Sequence, residues 1–378
     1  MTSTVQPDVL VIGGGLLGWS VAYRLGKAGV LTTVVDRGDE GFATQAGAGI
    51  IAPGASFRAP AAFFPLAAAA MRYYAQLLEE LQEDEAGDTG YKTTGALFIA
   101  RDHREAEQLP GALAEIEARR AAGLGNIGEL TMLTGAGARD LFPALADLPA
   151  AIHMSAAARV DGRLLRNALR TSALRHDVHQ LEGSAELQVT GNRANAFIDG
   201  VQLQAETIVI AAGAWSRVPA EQCGLKLPVY PQRGQILHLA MPGMDTSDWP
   251  IVEGFSTHYI LTFGPDRIVC GATREHDSGY ELRLTAGGVH EVLSEALRVA
   301  PGLDSGTIAE FRIGLRPFSP DLLPIIGPAP GLANLYLCTG HGPSGLQLGP
   351  YSGAAVAAMI QGEPSENDMT PYNVARFQ

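Results

Sequence analysis

Cysteine is scarce in this chain. Cys223, Cys270 and Cys338 are the whole set in 378 residues, and no two form a CxxC pair. An odd, scattered set cannot build a disulfide framework or a thiolate metal site; it reads as a reduced, cytoplasmic protein. Basic residues are also in short supply, with 27 Lys and Arg against 40 Asp and Glu, a net charge of -13. Phosphate backbones and anionic lipids are bound through clustered cations, so neither nucleic acid nor electrostatic membrane docking is expected. Long hydrophobic runs are missing. The apolar stretch from Val9 is cut by three glycines at 13–15, and Met1 to Asp8 carries no basic residue. Neither a signal peptide nor a membrane span is expected.

Several catalytic signatures are absent as well. Gly342-Pro343-Ser344-Gly345 is not the GxSxG of a nucleophile elbow. Gly26-Lys27 lacks the flanking Gly and Ser/Thr of a P-loop. His and Cys are too dispersed for metal ligation, so no metal is expected. What is present is 46% hydrophobic and 18% charged sequence, long enough for two or three domains around a large core.

The positive signals begin with Val9-Leu10-Val11-Ile12, an unbroken apolar run of the kind that forms a buried parallel strand. Gly13-Gly14-Gly15-Leu16-Leu17-Gly18 follows at once and matches GxGxxG. Gly13 permits a tight turn, Gly15 lets backbone approach a pyrophosphate, and Gly18 lets helix and strand pack closely. A helix is predicted over 16–28, with Gly29 as its stop. Its N-terminus offers free N–H groups and a positive dipole end to phosphates. A second strand over 31–35 ends in Asp36, placed to accept hydrogen bonds from an adenosine ribose. Together these predict dinucleotide binding. They suit NAD or FAD equally and disfavour NADP.

Three later stretches favour the flavin. Thr44 to Ile51, just after the second strand, is built almost wholly of small residues, which let backbone lie against a flat ring or phosphate. Thr207 to Ile210 is an apolar strand running into Ala211-Ala212-Gly213-Ala214-Trp215. Leu335 to Leu337 opens into Gly340-His341-Gly342-Pro343-Ser344-Gly345-Leu346, and a helix is predicted from Gly345 to Ala358. A helix N-terminus there would stabilise negative charge on a reduced flavin ring.

These residues, with Val160-Asp161-Gly162, Pro231-Gln232-Arg233-Gly234-Gln235 and Gly314-Leu315-Arg316-Pro317, resemble the D-amino-acid oxidase family of flavoenzymes, in the style of glycine oxidase and bacterial D-amino-acid dehydrogenases. The resemblance runs from Val9 to about Ile360. It implies an α/β fold: a Rossmann-like FAD-binding domain of 1–85, 155–225 and 315–378, interleaved with an α+β substrate domain of 86–154 and 226–314 that has a mostly antiparallel sheet. It implies non-covalent FAD held by Gly13, Gly15, Leu16, Leu17, Gly18, Asp36 and Arg37. Thr44, Gly47, Ala48, Gly49, Ile50, Val178, Ala212, Gly213 and Trp215 extend that set, as do His341, Gly342, Pro343, Ser344, Gly345, Leu346 and Gln347.

On the substrate side the resemblance places Arg316 on a carboxylate, where a planar guanidinium fork suits bidentate binding. Tyr259 takes the place of a pocket tyrosine on the same carboxylate. Arg274 takes the place of a residue facing the substrate side chain; turned inward, it would favour a polar or acidic group. His341 is expected to shape the flavin turn and not to act as a base. One departure stands out: glycine oxidase has an arginine near the substrate where this chain has Pro343, which puts a strict glycine preference in doubt. The implied reaction is oxidative deamination of a D-amino acid or glycine to a 2-oxo acid and ammonia, by hydride transfer to flavin N5. Oxygen is the expected acceptor, with a quinone as the alternative. A sarcosine or proline-like secondary amine, or a non-catalytic flavin subunit, also stays open, as does a homo-oligomer.

Overall fold

The structure, a computed structural model, describes residues 6–378. Its first layer is a six-stranded sheet in the order 325–328, 335–339, 207–210, 9–12, 32–36, 179–182. Val9–Ile12 lies in its middle, parallel to Thr32–Asp36 on one side and Thr207–Ile210 on the other. Three of its four residues are at most 2% exposed and Ile12 is 7%, as expected of a strand covered on both faces. Ile325–Pro328 alone runs antiparallel, against Leu335–Thr339.

Helix Leu16–Lys27 leaves the central strand and packs against Gly162–Arg175 and Gly345–Ile360. Small residues set how close the last of these comes. A Cβ on Gly353 would lie 2.5 Å from the Ser20 Cβ, and one on Gly349 3.1 Å from Leu17. Pro350 lies inside that helix, and the Leu346 carbonyl that an N–H there would have bonded accepts from the Tyr74 hydroxyl. Helix Phe63–Glu83 covers the same side, and Leu66, Ala70, Tyr73, Leu77 and Leu81, spaced to share one helical face, are all buried. Burying each leucine contributes about 1.5–3 kcal/mol before entropy is counted.

The second layer is an eight-stranded sheet in the order 307–318, 230–240, 267–271, 259–263, 251–254, 96–100, 150–154, 130–134. All its pairings are antiparallel except Ile251–Gly254 with Ala96–Ala100. Its edge strand Thr307–Phe318 runs through the expected domain boundary at 315. There it is fastened to the first layer: Leu315 N donates to the Gly41 carbonyl at 2.8 Å, and Leu315 bridges Phe42.

The charged segment 105–122 reads from sequence as a surface helix that Pro110 either breaks or reopens, and it forms two helices, His103–Ala106 and Leu109–Ala121. Pro110 sits in the first turn of the second, the position where its fixed φ and missing N–H are tolerated. All three cysteines are free and buried. Among the described residues no helix is long and apolar enough to cross a membrane.

Candidate active site

The turn after Val9–Ile12 can be built only from glycine. Gly13 has φ +110°, and a Cβ there would sit 2.5 Å from the Ala211 carbonyl oxygen. A Cβ on Gly18 would lie 1.8 Å from the Gly13 oxygen, so Gly18 closes the turn from behind and does not line the cavity. Gly15 caps the helix in extended conformation with no side-chain cap, leaving N–H groups directed outward. Leu16 N donates to Thr44 Oγ1 at 3.2 Å, which ties the small-residue loop to the helix start. Asp36 accepts from the backbone N–H groups of Gly14 and Gly38. Arg37 pairs with Asp39 beside it.

All of this opens on one cavity of about 1000 Å³. Gly13, Gly15, Leu16, Leu17, Asp36, Arg37, Thr44 and Gly47 to Ile50 line it. So do Ala212, Gly213, Trp215 and the run His341 to Gln347. Close approach recurs along its wall. A Cβ on Gly49, at φ +90°, would lie 1.7 Å from the Val160 oxygen, and one on Gly47 2.6 Å from Leu346. The 16-residue helix Gly345–Ile360 directs its N-terminus into the cavity with no side-chain cap. His341 is buried beneath it. Burial pushes its imidazole down to about 3, and Nε2 bonds Ser352 Oγ at 2.8 Å. The ring is therefore uncharged at neutral pH.

Val178 corrects the expected set. It lies 3% exposed in the core against Gly26 and does not line the cavity. Gly183 to Glu186, the turn beyond the next strand, line it instead. Sequence reasoning also missed Arg166, whose Nε donates to the Gly14 carbonyl at 2.6 Å beneath the glycine turn. No sequence signal marks it, because Arg166 sits at the edge of the buried stripe Leu165, Ala168, Leu169, Ser172.

At the far end of the cavity the eight-stranded sheet presents Arg316, Tyr259 and Arg274 together. Two glycines make room for them. A Cβ on Gly234 would lie 2.5 Å from the Arg316 guanidinium, and one on Gly271 2.5 Å from the Tyr259 hydroxyl. Arg316 Nη1 donates to the Thr273 carbonyl at 3.0 Å and Gln232 Oε1 at 3.3 Å. Burial lowers the pKa of Arg316 while neighbouring Tyr259 opposes the shift. Arg274 opens on the cavity with its side chain exposed to solvent; partial desolvation by the surrounding protein first, and Arg316 second, bring it down to about 10. Both arginines remain cationic. Among the described residues no carboxylate forms an ion pair with Arg274, Arg316 or the lining Arg58. Glu253 also lines this end. Burial alone raises its carboxyl to about 7, and Oε2 has no hydrogen-bond partner.

A glycine turn at a helix N-terminus, an acid at the end of the next strand and a second uncapped helix over a broad cleft fit a flavin dinucleotide along its length. The family model for FAD dependent oxidoreductases (DAO) matches residues 8–359. The chain belongs to this DAO family. It is 41% identical to the uncharacterized oxidoreductase YurR of Bacillus subtilis, over 97% of this chain and 98% of that protein. It is 30% identical to glycine oxidase of Pseudomonas putida, over 97% and 98%. The crystal structure of iminodiacetate oxidase from Chelativorans sp. BNC1 superposes with a TM-score of 0.93 at 38% identity, covering 97% and 98%. This DAO-family protein is an FAD-dependent oxidoreductase.

Proposed function

We propose that this enzyme oxidises the C–N bond of a small amine carrying two carboxylates: iminodiacetate, or an amino acid with an acidic side chain. The observation that carries the reading is the pair of cations Arg316 and Arg274, on one cavity wall and without protein carboxylates to satisfy them. A site that holds two unpaired guanidinium groups is complementary to a dianion. The 38% identity to an iminodiacetate oxidase supports the same reading. Pro343, where glycine oxidase has an arginine, fits a carboxylate-binding set built differently on this wall.

Bound FAD supplies the two-electron oxidation. The protein's part is orientation and charge. Arg316, braced by Thr273 and Gln232, holds one carboxylate, with the Tyr259 hydroxyl beside it. Arg274 takes the second. The substrate carbon is thereby turned towards the flavin that Gly47 to Ile50 and His341 to Gln347 would hold. Water then hydrolyses the released imine to a 2-oxo acid and an amine. Oxygen is the proposed acceptor.

A panel of iminodiacetate, D- and L-aspartate, glycine, sarcosine and proline under anaerobic conditions tests this. The dicarboxylic amines should bleach the flavin most efficiently, and admitting oxygen should restore colour with peroxide release. Arg274→Met should lower kcat/KM for the dicarboxylic amine about 10- to 100-fold more than for glycine, since one charge-assisted contact is lost. A single-carboxylate amine is the second reading, favoured by the likeness to glycine oxidase. Bleaching by glycine or sarcosine with indifference to every diacid would replace the first reading with it.

A further inference from the structure

Behind Arg316 lies a hydrogen-bond chain whose direction is dictated at one end. Arg316 Nη1 meets Gln232 Oε1 at 3.3 Å, and Gln232 Nε2 meets His276 Nε2 at 2.9 Å. A guanidinium has donors and no acceptor. The Gln232 carbonyl must therefore face Arg316, which turns its NH2 group towards His276. A second donor there would leave two N–H groups opposed. His276 Nε2 must accept, so the ring proton sits on Nδ1. The ring is held edge-on by Phe318, with centroids 4.7 Å apart. Gln232 is 2% exposed, and its strand places it directly opposite Arg316. His276 and Gln232 both line the cavity wall that carries Arg316.

We propose that His276 is a positioning residue for substrate binding, which sets the orientation of the Gln232 amide and through it the aim of the Arg316 guanidinium. This rests on Arg316 being the carboxylate anchor. An acceptor at position 276 keeps Gln232 turned so that its carbonyl restrains Arg316. A donor at 276 attracts that carbonyl away and leaves Arg316 opposite an NH2 group. His276 touches neither the reacting carbon nor its carboxylate in this scheme; its effect passes entirely through Gln232.

The test compares His276→Lys, which can only donate, with His276→Gln, which keeps an acceptor, in holoenzyme whose flavin spectrum confirms full FAD content. The readouts are KM for the amine that reduces the flavin, and Kd for acetate and glutarate from perturbation of the flavin spectrum. H276K should raise KM and both Kd values about tenfold, the scale of one hydrogen bond to a charged group. H276Q should rescue most of that loss. The added positive charge of the lysine would by itself tighten anion binding, so a weaker complex reports hydrogen-bond direction and not charge. In a Gln232→Met background H276K should add no further loss of affinity. Equal constants for H276K and H276Q, or an H276K loss that persists beside Q232M, would overturn the proposal. Arg316→Lys is run in parallel. If it leaves carboxylate affinity unchanged, the anchor reading itself is at fault, an outcome read separately from the 276 pair.

Discussion

Arg316 concentrates the chemistry at the scale of single residues. Replacing its fork with a lysine keeps the charge and loses the bidentate contact, worth about 3 kcal/mol at the upper end. Arg316→Lys should lower kcat/KM by about 10²-fold with FAD still bound, as steady-state kinetics on the flavin-loaded protein would show. Unchanged kinetics would remove Arg316 from the substrate wall. Arg316 stood out in the sequence because Gly314-Leu315-Arg316-Pro317 matches a family motif, whereas Tyr259 was placed by the resemblance alone; both line the cavity. Glu253 did not stand out. In Ile251-Val252-Glu253-Gly254 an isolated acid reads as a solvent-facing strand position. Only the sheet order, with Val252 opposite Ile260 and Glu253 beside Phe98, turns it towards the cavity. Its carboxyl titrates near 7 in the folded protein and near 4.3 when unfolded. The stabilisation tied to its bound proton is complete below the unfolded value and is lost as pH rises through about 7. At pH 8 the charge is a liability. Glu253→Gln should therefore raise Tm by about 2–4 °C at pH 8 and leave it almost unchanged at pH 4.5. An equal shift at both pH values would show that charge burial is not the cause.

Among the elements, the strand–turn–helix from Val9 to Lys27 was the most legible, because every residue type there answers a steric demand. Gly18 shows how tight that demand is. Gly18→Ala places a methyl group inside contact distance of the Gly13 oxygen, so the turn must deform. The variant should purify largely free of flavin, by the ratio of 450 nm to 280 nm absorbance. Gly29→Ala, at φ +75° with nothing within 4 Å, should keep its FAD and cost only about 1 kcal/mol of backbone strain. A flavin-replete Gly18→Ala would mean the turn can yield by the width of a methyl group and still hold the dinucleotide. Elements whose partners are distant in sequence were less legible. Strands Leu130–Thr134 and Ala150–Met154 pair with each other, yet the first is largely exposed and carries little periodic signal. The assignment of Val178 failed for a related reason: the segment after helix Gly162–Arg175 gives no sign of which of its two turns reaches the cavity. The structure selects the later one, Gly183 to Glu186.

The molecule as a whole is read best through its two sheets. The alternation of family motifs along the chain made the interleaving of an FAD-binding layer with an antiparallel one visible from sequence. Sequence did not reveal the parallel pairing of Ile251–Gly254 with Ala96–Ala100, since register between distant strands is set by tertiary packing. Retention of FAD rests on this whole architecture and not on a covalent tether. Cys338, the thiol nearest the flavin turn in sequence, is wholly buried outside the cavity lining, and burial raises its pKa. Acid precipitation should therefore leave the yellow colour in the supernatant; colour retained in the washed pellet would demonstrate a bond.

The fastening of Leu315 to Gly41 and Phe42 bears on how reactants come and go. Arg316 directly follows that staple, so the proposed carboxylate anchor is riveted to the layer that carries the glycine turn. An opening of the two layers at this point would have to break the Leu315–Gly41 hydrogen bond and the bridge to Phe42. Residues of the 53–59 loop and of 253–259 line the same cavity, and Arg58 joins the two segments by donating to the carbonyls of Phe255 and Ser256.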